Sequence, residues 1–172
     1  MLHDISAGSV EKMNVIIEIP KGSLNKYEID KETGMIALDR VSYTAQTFPV
    51  DYGFVPQTLW DDGDALDVIV LSTAPFFPGM LLAARPVGIM HMIDSGEKDD
   101  KVIAVPCKDP RFDHIQDLKD VNPHELKTLQ HFYENYKKLQ NKEVVIEGFE
   151  GKEAAQAAFT RGQALYAESK KK

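Results

Sequence analysis

The chain has little of what would set it apart from an ordinary globular protein. Cys107 is its one cysteine in 172 residues, so no internal disulfide can close, which suits a reducing compartment. Its opening stretch, Met1-Leu2-His3-Asp4-Ile5-Ser6, lacks the basic region and apolar run of a secretory leader, and no apolar run nears the roughly 20 residues that span a bilayer. Secretion and membrane insertion are disfavoured, and a cytoplasmic location is expected. Positive charge is scarce too: 20 Lys and Arg face 27 Asp and Glu, a formal charge of −7. Such a surface repels a phosphate backbone, which argues against nucleic acid as a partner. Repeats, low-complexity tracts and dividing linkers are also missing, so residues 1–172 are expected to form a single domain. A fold of this length buries about two thirds of its extended surface and needs no staple.

Short β-branched or alternating runs dominate the first two thirds. Val15–Ile19, Lys26–Asp30, Met35–Val41, Gly53–Pro56, Leu66–Leu71, Met80–Ile93, Val102–Pro106 and Val144–Phe149 all read as strands. Their close spacing suggests a barrel or sandwich. Two helices follow late in the chain. Asn122-Pro123-His124-Glu125 supplies an N-cap, an N1 proline and an N3 carboxylate, and apolar residues then recur from Leu126 to Leu139. From Lys152 a second amphipathic pattern runs through Ala155, Phe159 and Tyr166, with Gly162 as an expected interruption and the Ser169–Lys172 tail expected to fray. The class is therefore mostly β with flanking helices.

The least ordinary segment is Asp61-Asp62-Gly63-Asp64-Ala65-Leu66-Asp67, where four carboxylates lead into the apolar run Val68-Ile69-Val70. On a free loop each close pair would repel by about 1 kcal/mol or more, with nothing gained; a bound cation reverses the sign. Asp62 and Asp64 point alike in an extended segment, and Asp67 lies where the strand enters the core. Hard oxygen ligands so placed suit Mg²⁺ or Mn²⁺. A solvated turn with a capping aspartate is the plainer alternative. An EF-hand is excluded, because Asp67 stands where its loop needs Gly and Thr73 where it needs Glu. A second acidic loop, Asp94 to Lys101, joins two strands, and only convergence of the two loops at one rim would create a site for several ions. Glu18 is also unusual, since a carboxylate inside Val15–Ile19 needs a donor, a cation or water.

Taken together, the segments Ile17-Glu18-Ile19-Pro20, Lys26-Tyr27-Glu28, Asp39-Arg40, Asp51-Tyr52-Gly53, Asp62-Gly63-Asp64-Ala65-Leu66-Asp67, Arg85-Pro86-Val87-Gly88, Asp94 to Lys101 and His131 to Lys137 occur in the order seen in one family. The chain resembles a family I soluble inorganic pyrophosphatase of the bacterial short-chain type, nearly end to end. The resemblance implies a five-stranded OB-type β-barrel with two C-terminal helices. It also implies Mg²⁺-dependent hydrolysis of inorganic pyrophosphate to two orthophosphates, and a homohexamer. By the same resemblance Asp62, Asp67, Asp94 and Asp99 hold metal and Asp64 accepts the proton of the attacking water. Lys26, Arg40, Tyr52, Lys101, Tyr136 and Lys137 bind phosphate, and Glu18 and Glu28 support them. Ala65 and Phe48 depart from the family pattern and are expected to modulate rate or metal affinity. The competing readings are a noncatalytic OB-type binding module and a degenerate pyrophosphatase scaffold.

Overall fold

The computed structural model describes residues 4–171. In chain order the strands are β1 (Met13–Ile19), β2 (Asn25–Ile29), β3 (Ile36–Val41), β4 (Asp51–Phe54), β5 (Asp67–Val70), β6 (Leu81–Asp94), β7 (Glu97–Lys98), β8 (Lys101–Pro106) and β9 (Val144–Gly151); helix α1 (Pro123–Asn135) precedes β9 and α2 (Lys152–Ser169) follows it. Five strands pair in a ring. Strand β1 pairs with β4, β4 with β5, β5 with β8, β8 with β6, and β6 returns to β1. Only β5 and β8 run parallel. Strands β2 and β3 form a separate hairpin, and β9 adds to the far half of β6.

Alternation along the ring strands explains how it is filled. Val68 and Val70 of β5, with Val102 and Ala104 of β8, join the cluster that α2 closes with Ala155, Ala158 and Phe159. Ile69, Leu71, Ile103 and Val105 face the other way, into the cluster closed by Leu129, Phe132 and Tyr133 of α1. Both faces of these strands are therefore buried, which is why they read as continuous apolar runs. Gly53 permits the tightest approach in the ring: a Cβ there would lie 2.1 Å from the Ile16 carbonyl oxygen.

Several expectations change in detail. The apolar stripe extends to Leu139, but α1 ends at Asn135 and Leu139 is exposed, lying in a separate 3₁₀ turn. Gly162 does not interrupt α2; it lets the helix lie against Thr58 and Leu59, whose N–H donates to the Gly162 carbonyl at 3.0 Å. Met1 to His3 and Lys172 of the tail lie outside the described residues. Among the described residues no helix is long and apolar enough to cross a membrane.

Candidate active site

The parallel pairing of β5 with β8 sets Asp67 directly opposite Lys101, so the two acidic loops, distant in sequence, enter the sheet side by side. The first loop turns at Gly63, whose φ of +87° is natural only to glycine. Asp62 Oδ1 accepts the Asp64 N–H at 3.1 Å and fixes this turn. As a result Asp62, Asp67 and Asp99 bring carboxylate oxygens within 4.8 Å of one another.

Lys101 sits among them, 2% exposed. Its ammonium donates to Asp67 at 2.8 Å, to Asp99 at 2.9 Å and to the Tyr52 hydroxyl at 3.3 Å. Burial alone would lower its pKa, but Asp67 and Asp99 hold it well above the usual lysine value. Lys101, expected by the resemblance among the phosphate-binding cations, is thus a buried one. Burial pushes the Asp99 carboxyl up to about 7, Lys101 opposing and Asp67 adding to the rise. Asp62 is also raised, chiefly by burial and against the Asp64 N–H. Three clustered carboxylates stand against one ammonium, which pairs with Asp67 and Asp99 but not with Asp62, and negative charge is left unmet. That shortage, with donors that are all oxygen, fits a hard divalent cation.

Glu18 owes its position to a bulge. Ile17 pairs with Gly53 and Ile19 with Tyr52, so the residue between them leaves the ladder. Its Oε1 accepts the Ile29 N–H at 2.9 Å, and burial raises its pKa to about 7. Beside it the β2–β3 hairpin presents Lys26, ion-paired with Glu28 and, at 3.2 Å, with Asp39. Arg40 lies 3.6 Å from Asp39, its guanidinium 5.9 Å from the centre of the Tyr136 ring. Tyr136 is the C-cap of α1, and burial raises its phenol pKa. Lys137 follows it and is ion-paired with Asp94, whose pKa burial would raise but this lysine brings below the ordinary value. Lys26, Arg40, Ser42 and Tyr136 share a narrow cleft. A roomier cleft between Val50, Ser72 and Thr128 of α1 contains none of the expected site residues.

The fold therefore gathers Asp62, Asp67, Asp99, Lys101 and Tyr52 into one cluster, and Lys26, Glu28, Arg40 and Tyr136 into a second group. Asp94 and Lys137 form a further pair. Asp64 stands outside the carboxylate cluster, its Oδ1 2.7 Å from Lys31 Nζ, with both side chains largely exposed. Asp39, Lys31 and Tyr133 escape the sequence reading. Asp39 and Tyr133 lie inside segments that carry the resemblance, Asp39-Arg40 and His131 to Lys137, but were given no role of their own, and Lys31 carried no signal.

Comparison with known proteins agrees with this geometry. The family described as inorganic pyrophosphatase matches residues 15–167. Soluble inorganic pyrophosphatase 1 of Arabidopsis thaliana is 47% identical over 165 residues, covering 96% of this chain and 78% of that protein. A soluble inorganic pyrophosphatase of Zea mays is 46% identical over 168 residues, with the same shares covered. Among solved structures, the inorganic pyrophosphatase of Thermus thermophilus superposes with a TM-score of 0.93 at 43% identity, covering 96% of this chain and 98% of that one. That of Coxiella burnetii gives 0.91 at 46% identity, covering 94% and 99%. With the five-strand ring and the acidic cluster already described, this chain belongs to the inorganic pyrophosphatase family, in its family I soluble branch.

Proposed function

We propose that this chain hydrolyses inorganic diphosphate to two orthophosphates at the Asp62–Asp67–Asp99 cluster, with Mg²⁺ as its natural ion and Mn²⁺ as a substitute. The observation that carries the reading is the convergence of two acidic loops around one buried lysine. A noncatalytic barrel would have no use for three clustered carboxylates with one ammonium, paired to two of them, an arrangement that costs free energy unless a ligand completes it. A degenerate scaffold would not be expected to keep every charged position of the resemblance.

In this reading Asp62, Asp67 and Asp99 hold one set of ions, and Asp94 with Asp99 holds metal that arrives with the substrate. When bound, such ions would neutralise substrate charge and lower the pKa of water so that it can lose a proton and become a nucleophile near neutral pH. Asp64 accepts the proton of the attacking water, with Lys31 holding its carboxylate in place. Arg40 offers a planar fork to phosphate oxygens, while Lys26, Lys101 and Lys137 add charge. Tyr52 and Tyr136 donate hydrogen bonds without adding charge. These donors matter most as charge moves onto the leaving phosphate. Glu18 and Glu28 hold the neighbouring backbone and Lys26 in register. No covalent nucleophile on the enzyme is required.

We further propose a homohexamer working in the cytoplasm, where diphosphate-releasing biosynthesis takes place. Phosphate release from diphosphate, followed with and without Mg²⁺ in the wild type and in Asp64→Asn, tests the function. Metal-dependent turnover that falls about 10²-fold or more in the variant is expected for loss of a general base. Full turnover in Asp64→Asn would remove that residue from its role.

A further inference from the structure

Tyr133 lies in the last turn of α1, is 1% exposed, and has a hydroxyl with no hydrogen-bond partner among the described residues. A buried hydroxyl without a partner is costly, so such groups are normally satisfied by water or a ligand. The Tyr133 ring belongs to the apolar cluster under α1, but a charged group adjoins it. Lys101 Nζ lies 5.8 Å from the centre of the Tyr133 ring and 5.2 Å from that of Tyr52. Lys101, Asp67 and Asp99 are the charges that act on the phenol, and the ring of Tyr136 meets its own nearly at right angles 5.3 Å away.

The buried ammonium is thus bounded by two carboxylates and two aromatic rings, and one ring carries a hydroxyl that the protein leaves unsatisfied. Tyr52 is bonded to Lys101 directly, whereas Tyr133 touches it only through its ring. We propose that Tyr133 is a further positioning residue of the diphosphatase centre: its ring seats Lys101 against Asp67 and Asp99, and its hydroxyl donates to an ordered water shared with that group. The inference rests on the function proposed above and deepens it. It also gives a second purpose to the helical stripe, which as a packing pattern would be served equally by phenylalanine.

The test is Tyr133→Phe, which keeps the ring and removes one oxygen, placed in a double-mutant cycle with Lys101→Arg and assayed as Mg²⁺-dependent phosphate release from diphosphate. Tyr133→Phe alone is expected to lower kcat/KM about threefold to tenfold, the effect of one lost hydrogen bond. In the Lys101→Arg background the further loss should shrink below about twofold, because the two residues act as one unit. A kcat/KM for Tyr133→Phe within about twofold of wild type overturns the proposal, most plainly if the melting temperature also rises. So does an undiminished loss in the Lys101→Arg background. Active wild type with either of those results leaves the function standing and removes only Tyr133, whereas a wild type without metal-dependent turnover removes both.

Discussion

Asp67 and Arg40 separate two tasks that a single side-chain change can tell apart. Asp67→Asn removes a ligand charge while keeping the shape, so the Mg²⁺ concentration for half-activation should rise about tenfold or more, with much of the rate recovered at saturating ion. Arg40→Ala should instead raise KM for diphosphate and respond little to added Mg²⁺. Steady-state titrations of both variants against metal and substrate decide the matter, and reversed behaviour would mean the roles are misassigned. Glu18 makes a separate prediction. Its folded pKa of about 7 lies above the ordinary value of 4.5, so the folded state binds its proton more tightly than the unfolded chain. This contribution to stability is complete below pH 4.5 and is lost as pH rises through 7. Glu18→Gln keeps an acceptor for the Ile29 N–H and should melt higher than the metal-free wild type at pH 8, by about 2–4 °C for each kcal/mol recovered, but not at pH 5. Equal shifts at both pH values would contradict the assignment. Asp62, Asp64, Asp67 and Glu18 stood out because acid inside or beside an apolar run is costly without a partner, whereas Lys26, Arg40, Lys137, Asp94 and Asp99 were singled out only through the family resemblance. Tyr133 was not, because an aromatic at helical spacing looks the same whether it serves the core or the site.

The elements show where periodicity carries information and where it stops. Strand and helix types were readable from alternation and from the Asn122 cap, whose Oδ1 accepts the His124 N–H at 2.9 Å. Pairing was not, since nothing local in Val68-Ile69-Val70 or Val102-Ile103-Ala104 indicates that the two strands lie parallel. That one register joins the acidic loops, so their convergence, implied by the resemblance, has no local signal in either strand. The bulge at Glu18 was likewise hidden, because an extra residue changes which face a side chain takes without altering the composition. Gly53 tests the ring itself. Gly53→Ala forces the Ile16 carbonyl aside, which should separate β1 from β4 and lower stability by more than about 1 kcal/mol, read as a lower urea midpoint. A midpoint equal to wild type would show that the ring tolerates a wider gap there.

For the whole molecule, the formal charge of −7 changes meaning once part of it is gathered around Lys101. Diffuse acid repels anions, whereas the same acid loaded with divalent ions and flanked by Lys26 and Arg40 attracts a small, highly charged one. A single domain should unfold in one cooperative step at saturating Mg²⁺, and light scattering should give six times the chain mass. Met35, Leu38, Phe77 and Leu81, each more than half exposed, are apolar surface that such an assembly has reason to cover. Scattering from a monomer would contradict the hexamer while leaving the chemistry untouched. The central claim, that these carboxylates make a cation-dependent diphosphatase, is tested most directly by phosphate release from inorganic diphosphate in a Mg²⁺ titration that begins in excess EDTA. Turnover should be absent at the start and rise saturably as Mg²⁺ becomes free, with more ion needed as pH falls because protons compete for the same carboxylates. Turnover in EDTA equal to that in Mg²⁺, or none at any concentration of the ion, would contradict it.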